Sequence, residues 1–262
     1  MPTPTRPPTA RLPSRMLPKL RRDLLTWYNA HRRDLPWRRT RDPYRIWVSE
    51  VMLQQTQVAT VIPFYHRFLQ SFPDLGALAR ADIQVVLKHW EGLGYYRRAH
   101  HLHRAARKLV DSSGGRVPDR HRAFKALPGV GDYIANAVMS IAFDQPWAVV
   151  DGNVKRVLAR LGGIGDPVNQ AAAHRVFQQT ADCLLDRRCP GTFNQALMEL
   201  GALVCTPRRP NCPECPWQAP CFARQNDATA QFPTRIRRAP VPKRAMVAGV
   251  VCHRGQVLVV QR

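Results

Sequence analysis

Acidic residues are scarce in this chain: 18 Asp and Glu stand against 40 Lys and Arg, for a formal charge of +22. A solvated surface ordinarily mixes both signs, so the shortage points to a polyanionic partner. Phosphate neutralisation with counterion release favours nucleic acid, with an anionic membrane surface as the rival. Long apolar runs are missing too; none approaches the roughly 20 residues that a membrane-spanning helix requires. The N-terminal "MPTPTRPPTARLPSRMLPKL" lacks the apolar core of a secretory signal, and its prolines would break the amphipathic helix of a transit peptide. It reads as a disordered basic arm over residues 1–18. An intracellular, reducing location is the expectation, and the seven cysteines are then not expected to form disulfides. The chain also lacks internal repeats and any alternation of strand and helix patterns.

What it has is helical periodicity. Apolar residues recur at three- and four-residue spacing through "RIWVSEVMLQQTQVATVIPFYHRFL", "AHHLHRAARKLV", "YIANAVMSIAF" and "NVKRVLARLGGI". Residues 19–224 therefore read as a mainly α domain, and 225–244 has the composition of a linker. Beyond it, "AMVAGVV" and "QVLVVQR" flank "CHRG" as two strands about a turn. An isolated hairpin is marginal, so 245–262 reads as the start of a β-containing domain.

Three features carry chemistry. Cys205, Cys212, Cys215 and Cys221 are separated by six, two and five residues, among prolines and polar side chains. Four thiols so close suit metal ligation better than burial as small apolar groups. Zinc and an iron–sulfur cluster both fit the donor set; Cys183, Cys189 and Cys252 fall outside the pattern. Next, "LPGVGDYIANAV" places Gly129, Val130 and Gly131 in a tight turn that opens a helix, where outward backbone N–H groups and the helix dipole can hold phosphate. The alternative is an ordinary corner between helices. Finally, two carboxylates stand out. Glu50 shares its helical stripe with Ile46, Trp47, Leu53 and Gln54, surroundings that raise a carboxyl pKa and suit a general acid. Asp151 opens "DGNVKRVLAR" after an apolar run, as a helix N-cap that can equally sit at a cleft, ionised by the dipole. One protonated and one charged carboxyl is the pairing that breaks glycosidic bonds.

Together these pieces resemble the helix–hairpin–helix DNA glycosylases and, within them, the adenine DNA glycosylases of the MutY family. The motifs that carry the resemblance are "LPWR" (35–38), "WVSEVMLQQTQVATVIP" (47–63), "GLGYYRRAHHLH" (92–103), "LPGVGDY" (127–133), "VDGNVKRVLAR" (150–160), "FNQALMELGALVC" (193–205) and the cysteine quartet. The resemblance implies a two-lobed helical fold and a [4Fe–4S] cluster on the quartet, a structural tie that fixes the "TPRRPN" loop so that Arg208 and Arg209 meet the DNA backbone. It implies hydrolysis of adenine mispaired with 8-oxoguanine or guanine in double-stranded DNA. Glu50 would protonate adenine at N7 and later help activate water, Asp151 would stabilise the developing oxocarbenium charge, and Tyr133 would hydrogen-bond in the same pocket. Residues matching Gln55 and Tyr95 wedge into the duplex; those matching Trp37, Arg38, Leu53, Gln195 and Met198 line the adenine pocket, although each could also be core. Relatives resembling endonuclease III carry a nucleophilic lysine where Tyr133 stands, so a monofunctional enzyme is expected. The competing readings are an oxidised-pyrimidine glycosylase/lyase, to which Lys125 or Lys155 could lend an amine, and a DNA-binding module without catalysis. A monomer in the bacterial cytoplasm, associated with the nucleoid, completes the expectation. Family members continue into a Nudix-like domain, of which 245–262 would be the first edge.

Overall fold

The computed structural model describes residues 12–237 and 249–258. Helix α1 (Leu17–His31) is followed by α2 (Pro43–Leu53), α3 (Val58–Ser71), α4 (Leu75–Arg80), α5 (Ile83–Trp90), α6 (Arg97–Ser113), α7 (His121–Lys125) and α8 (Asp132–Phe143). Then come α9 (Gly152–Gly162), α10 (Ala171–Leu184), α11 (Pro190–Leu203) and the short α12 (Phe222–Gln225). No helix among the described residues is long and apolar enough to cross a membrane.

Two hydrophobic cores divide these helices into two lobes. The first holds α2 to α8, around Trp47, Phe68, Trp90 and Phe124. The second joins α1 to α9, α10 and α11, around Tyr28, Phe177, Phe193 and Trp217. Each fully buried side chain of this size contributes roughly 1.5–3 kcal/mol. Local signals set where the helices begin. Asp42 caps α2, its carboxylate accepting from Tyr44 N at 2.8 Å, and Pro43 supplies the pre-set first residue. Residues of α2 from Tyr44 and Ile46 to Met52 are buried on every side, so this helix lies inside its lobe and needs no polar face.

Helix α11 joins the lobes. Gly191 at its start packs where a Cβ would stand 2.5 Å from the Ser140 carbonyl oxygen, so only glycine lets α11 approach α8 this closely. Buried Asn194 then donates to Ser140 Oγ at 2.9 Å and to the Trp147 carbonyl at 2.8 Å, and accepts from Val149 N at 3.0 Å. Asn136 adds a bond to the Ala148 carbonyl at 2.8 Å. The segment between α8 and α9 is thereby anchored, delivering Asp151 to the seam between lobes.

The mainly α, two-lobed expectation agrees with this architecture, but three boundaries differ. The expected arm ends early: a 3-10 turn forms at Ser14–Met16, α1 begins at Leu17, and Leu12, Met16 and Leu17 pack on the second core; residues 1–11 lie outside the described ones. The linker expected over 225–244 is docked as far as it is described, to residue 237. Thr234 donates to the Gly165 carbonyl at 2.6 Å, Ile236 and Asn169 exchange two bonds, and Phe232 packs on the second core. Low hydrophobicity and many prolines suggested a free linker; side-chain bonds to the α9–α10 connection tie it down. Of the expected strands, residues 245–248 and 259–262 lie outside the described ones; among the described residues the strands are Cys252–His253 and Gln256–Val257, paired antiparallel about Arg254 and Gly255, both left-handed. Cys252 and His253 therefore belong to a strand rather than to the turn, because the hairpin needs positive φ at two central residues. All four strand residues are exposed.

Candidate active site

Glu50 reaches a cavity of about 180 Å³ between the lobes. Its position three residues before the end of α2 buries it to 4% exposure, with Ile46 and Leu53 beside it in the cavity wall. Burial pushes its pKa up to about 7; Asp151 adds to the rise, while the Tyr133 bond and Arg38 oppose it. Tyr133, from the first turn of α8, donates its hydroxyl to Glu50 Oε2 at 2.5 Å and lies 3.9 Å from Met198 Sδ. Burial, then the Glu50 and Asp151 charges, hold that phenol well above its ordinary range, so it stays a donor.

Asp151 faces them from the second lobe. It caps α9, accepting from Val154 N at 2.7 Å and from Asn153 Nδ2 at 3.1 Å. Burial raises its pKa above the usual carboxylate value, and these donors, with Arg156, pull it back. The expected pocket residues Trp37, Arg38, Leu53, Gln195 and Met198 all line the same cavity. Trp37 is at the same time a core residue, 6% exposed with its ring edge-on to Tyr65 at 5.4 Å. Among the described residues no lysine lines it: Lys125 forms an ion pair with Asp132, and Lys155 donates to the Val168 carbonyl at 3.2 Å.

Residues that sequence reasoning passed over complete the wall. Glu199 is 1% exposed and accepts from both Arg33 (Nε 3.0 Å, Nη2 2.6 Å) and Arg38 (Nη1 2.8 Å, Nη2 3.0 Å). Burial alone would raise its pKa, but those bonds win and hold it down to about 2. Arg38 therefore enters the cavity already paired. A lone carboxylate in the apolar "FNQALMELGALVC" is the signal that marked Glu50, and it could have marked Glu199.

A wider cleft of about 930 Å³ opens outside the cavity and shares Leu53, Tyr133 and Asp151 with it. Gln55 and Tyr95 line this cleft, both exposed and both left-handed, with φ of 57° and 50°. Non-glycine residues rarely adopt that conformation, and it clusters at functional sites. Buried Arg98 bonds both segments, to the Val51 and Met52 carbonyls at 2.9 and 2.8 Å and to the Leu93 and Gly94 carbonyls at 3.2 and 3.1 Å. One of two adjacent arginines in "GYYRRAHH" gave no sign of this.

The turn before α8 takes the predicted form. Gly129 has φ +76°, and a Cβ there would stand 2.5 Å from His101 Cβ. Gly131 is the N-cap, and no side chain caps the helix, so its first N–H groups are open to an anion. Val130 is buried, 7% exposed, and its backbone N–H donates to the Leu127 carbonyl at 3.2 Å, which closes the turn.

The four cysteines lie on the second lobe. They are free thiols, each half-buried. Burial pushes the Cys215 thiol up to about 12 against a backbone bond from Trp217, and Cys205, Cys215 and Cys221 all pack on the second core. Among the described residues no three His, Cys, Asp or Glu side chains are grouped tightly enough for a single metal ion. Trp217 pins the loop to α1 through a 2.9 Å bond to the Leu20 carbonyl. From α9, Arg156 donates to the Cys205 carbonyl at 2.7 Å, and Arg160 donates to the Thr206 and Pro207 carbonyls at 2.7 and 2.9 Å. Arg208 and Arg209 are left exposed.

A model of the HhH-GPD superfamily base excision DNA repair proteins matches residues 48–179. The chain is 52% identical over 215 residues to the adenine DNA glycosylase of Rattus norvegicus, and 49% over 214 to that of Homo sapiens, covering 78% of this chain in both cases. It spans only 42% and 39% of those proteins. The adenine DNA glycosylase of Buchnera aphidicola from Acyrthosiphon pisum is 32% identical, with 88% and 66% of the two chains covered. Among solved structures, a thermostable thymine-DNA glycosylase superposes with TM-score 0.73 at 33% identity, over 80% of this chain and 99% of its own. A trapped endonuclease III–DNA covalent intermediate matches in fold at TM-score 0.70 and 21% identity, over 82% and 99%.

Proposed function

This chain belongs to the HhH-GPD superfamily of base excision DNA repair proteins, and on that premise we propose that it hydrolyses the N-glycosidic bond of adenine mispaired with 8-oxoguanine or guanine. The observation that carries the reading is the cavity in which Glu50, Tyr133 and Asp151 meet the five expected pocket residues.

The target adenine leaves the stack at a cost of a few kcal/mol, with Gln55 and Tyr95 filling the space behind it. Inside the cavity, Glu50 holds a proton near neutral pH and gives it to N7. The C1′–N9 bond then breaks with its electron pair moving onto the adenine. Asp151, bonded through Val154 N and Asn153, meets the positive charge left on the sugar. Water adds to C1′ and returns its proton to the Glu50 carboxylate, which restores the enzyme. Tyr133 orients the Glu50 carboxyl, and the Glu199 pair fixes Arg38. With no lysine among the described residues of the cavity wall, no Schiff base with C1′ forms and the strand stays intact. The open N-terminus of α8 and exposed Arg208 and Arg209 hold backbone phosphate.

Cys205, Cys212, Cys215 and Cys221 would hold the cluster. Their all-thiol donor set, close together in sequence, fits a [4Fe–4S] group. When bound, the cluster supplies a structural tie for the loop that carries Arg208 and Arg209. The chain works as a monomer on the DNA it repairs, in the cytoplasm of a bacterial cell.

Single-turnover incubation with duplexes carrying A:8-oxoguanine, A:G or thymine glycol:A tests the reading. Adenine release with strand breaks only after alkali is the expected result. Cutting at thymine glycol without alkali would move the chain to the lyase class, and binding without release would leave only the DNA-binding module.

A further inference from the structure

The most basic helix among the described residues lies beside the hairpin, and the reaction proposed above makes no use of its outer face. From Arg97 to Lys108, α6 carries eight Arg, Lys or His side chains and no carboxylate. Arg98 and His103 turn inward and are buried. Arg97, His100, Arg104, Arg107 and Lys108 are exposed. Spaced three and four apart, they share one face and form a stripe roughly 16 Å long at 1.5 Å per residue.

The stripe has a definite course. Arg97 forms part of the wall of the cleft that contains Asp151. One turn on, His101 abuts Gly129 of the hairpin. Further out, His100, Arg104 and Arg107 face Arg80 across an open hollow. Among the described residues none of Arg80, Arg97, Arg104, Arg107 or Lys108 makes an ion pair. The one carboxylate in the hollow, Asp82, is engaged in capping α5 through a 2.7 Å bond from Gln84 N. Arg104 instead donates to His101 Nδ1 at 3.3 Å. Unpaired cations packed this closely repel one another unless an anion lies over them.

We propose that this face of α6, together with Arg80, binds the sugar–phosphate backbone of the duplex outside the mispair and extends the footprint past the hairpin. The proposal rests on the reading of the chain as a DNA-acting protein. Duplex DNA carries one charge per ~1.7 Å of axis, so a ~16 Å stripe meets several phosphates. Such contacts position the protein without reading sequence.

The test measures affinity of the full chain for a fully matched 30-base-pair duplex from 50 to 200 mM salt. The variant Arg104→Gln/Arg107→Gln/Lys108→Gln is compared with Arg15→Gln/Lys19→Gln/Arg22→Gln, which removes the same charge from the N-terminal helical segment. For every phosphate left without its cation, the slope of log K against log[salt] becomes shallower by about 0.9. The α6 variant is expected to flatten the slope by about two to three, and the control by less than one. Equal slopes for the two variants, or an α6 variant indistinguishable from wild type, would overturn the proposal. Hydroxyl-radical footprinting of the unsubstituted chain gives a second readout, and protection that stops at the hairpin side would overturn it too. Because the duplex is matched, the slopes do not depend on adenine release, so failure here and failure of the glycosylase reading are separate results.

Discussion

Replacing Glu50 with glutamine is expected to abolish base release and yet stabilise the fold at alkaline pH. The carboxyl is 4% exposed, and burial above all moves its pKa from 4.5 to about 7. At 1.36 kcal/mol per tenfold change in protonation, the buried carboxylate carries a penalty of about 3 kcal/mol. The sign follows from proton binding. Below pH 4.5 folded and unfolded chains both hold the proton and there is no penalty. Between 4.5 and about 7 the folded chain binds more protons, so stability falls as pH rises, and above that window the whole penalty applies. Glutamine has no charge to desolvate and keeps an oxygen for the Tyr133 hydroxyl. The variant should exceed wild type by up to about 3 kcal/mol at pH 8.5, or about 6–12 °C in Tm, and by less than about 1 kcal/mol at pH 5. Calorimetry at the two pH values measures the gap. A gap that does not widen with pH refutes burial as the origin of the shift. Base release by the glutamine variant refutes Glu50 as the proton donor.

The remaining predictions concern neighbours of that group. Single-turnover base release should fall as pH rises through about 7, where Glu50 loses its proton, and fall again on the acid side as Asp151, raised chiefly by burial, takes one up; a flat profile would contradict both assignments. Tyr133→Phe removes the 2.5 Å bond that favours the carboxylate, so the alkaline limb should move to higher pH, and a stationary limb would show that the bond does not tune Glu50. Glu199→Gln strips the counter-ion from Arg33 and Arg38 in a buried site, which is expected to cost about 3–5 kcal/mol by urea unfolding; a loss under about 1 kcal/mol would mean the pair is solvated. Gly129→Ala places a Cβ 2.5 Å from His101 Cβ at φ +76°. It is expected to cost at least about 1–2 kcal/mol and to weaken duplex binding in a gel-shift titration, and unchanged affinity would place phosphate binding elsewhere.

Much of the fold and site was legible because the signals are local. The three-to-four spacing of apolar residues gave the helices, Asp151 marked the start of α9, and Gly129 and Gly131 marked a tight turn that opens α8. Glu50 stood out as a carboxylate on an apolar stripe, and the structure finds it buried. The linker misled because composition reports only how little a segment can bury by itself. It says nothing of partners such as Asn169 and Arg160, which hold Ile236 and Phe232 in place.

Sequence alone determined the helical class, the excess of positive charge, the thiol quartet and the two candidate carboxylates, since each depends on residue type and short spacing. Tertiary structure decided what those groups do to one another. Tyr133 and Glu50 are 83 positions apart and share a 2.5 Å hydrogen bond. Arg38 and Glu199 are 161 positions apart and neutralise each other in the cavity wall. Electrostatic interaction and desolvation depend on distance in space and on the surrounding dielectric. Neither quantity exists until α11 has drawn the two lobes together.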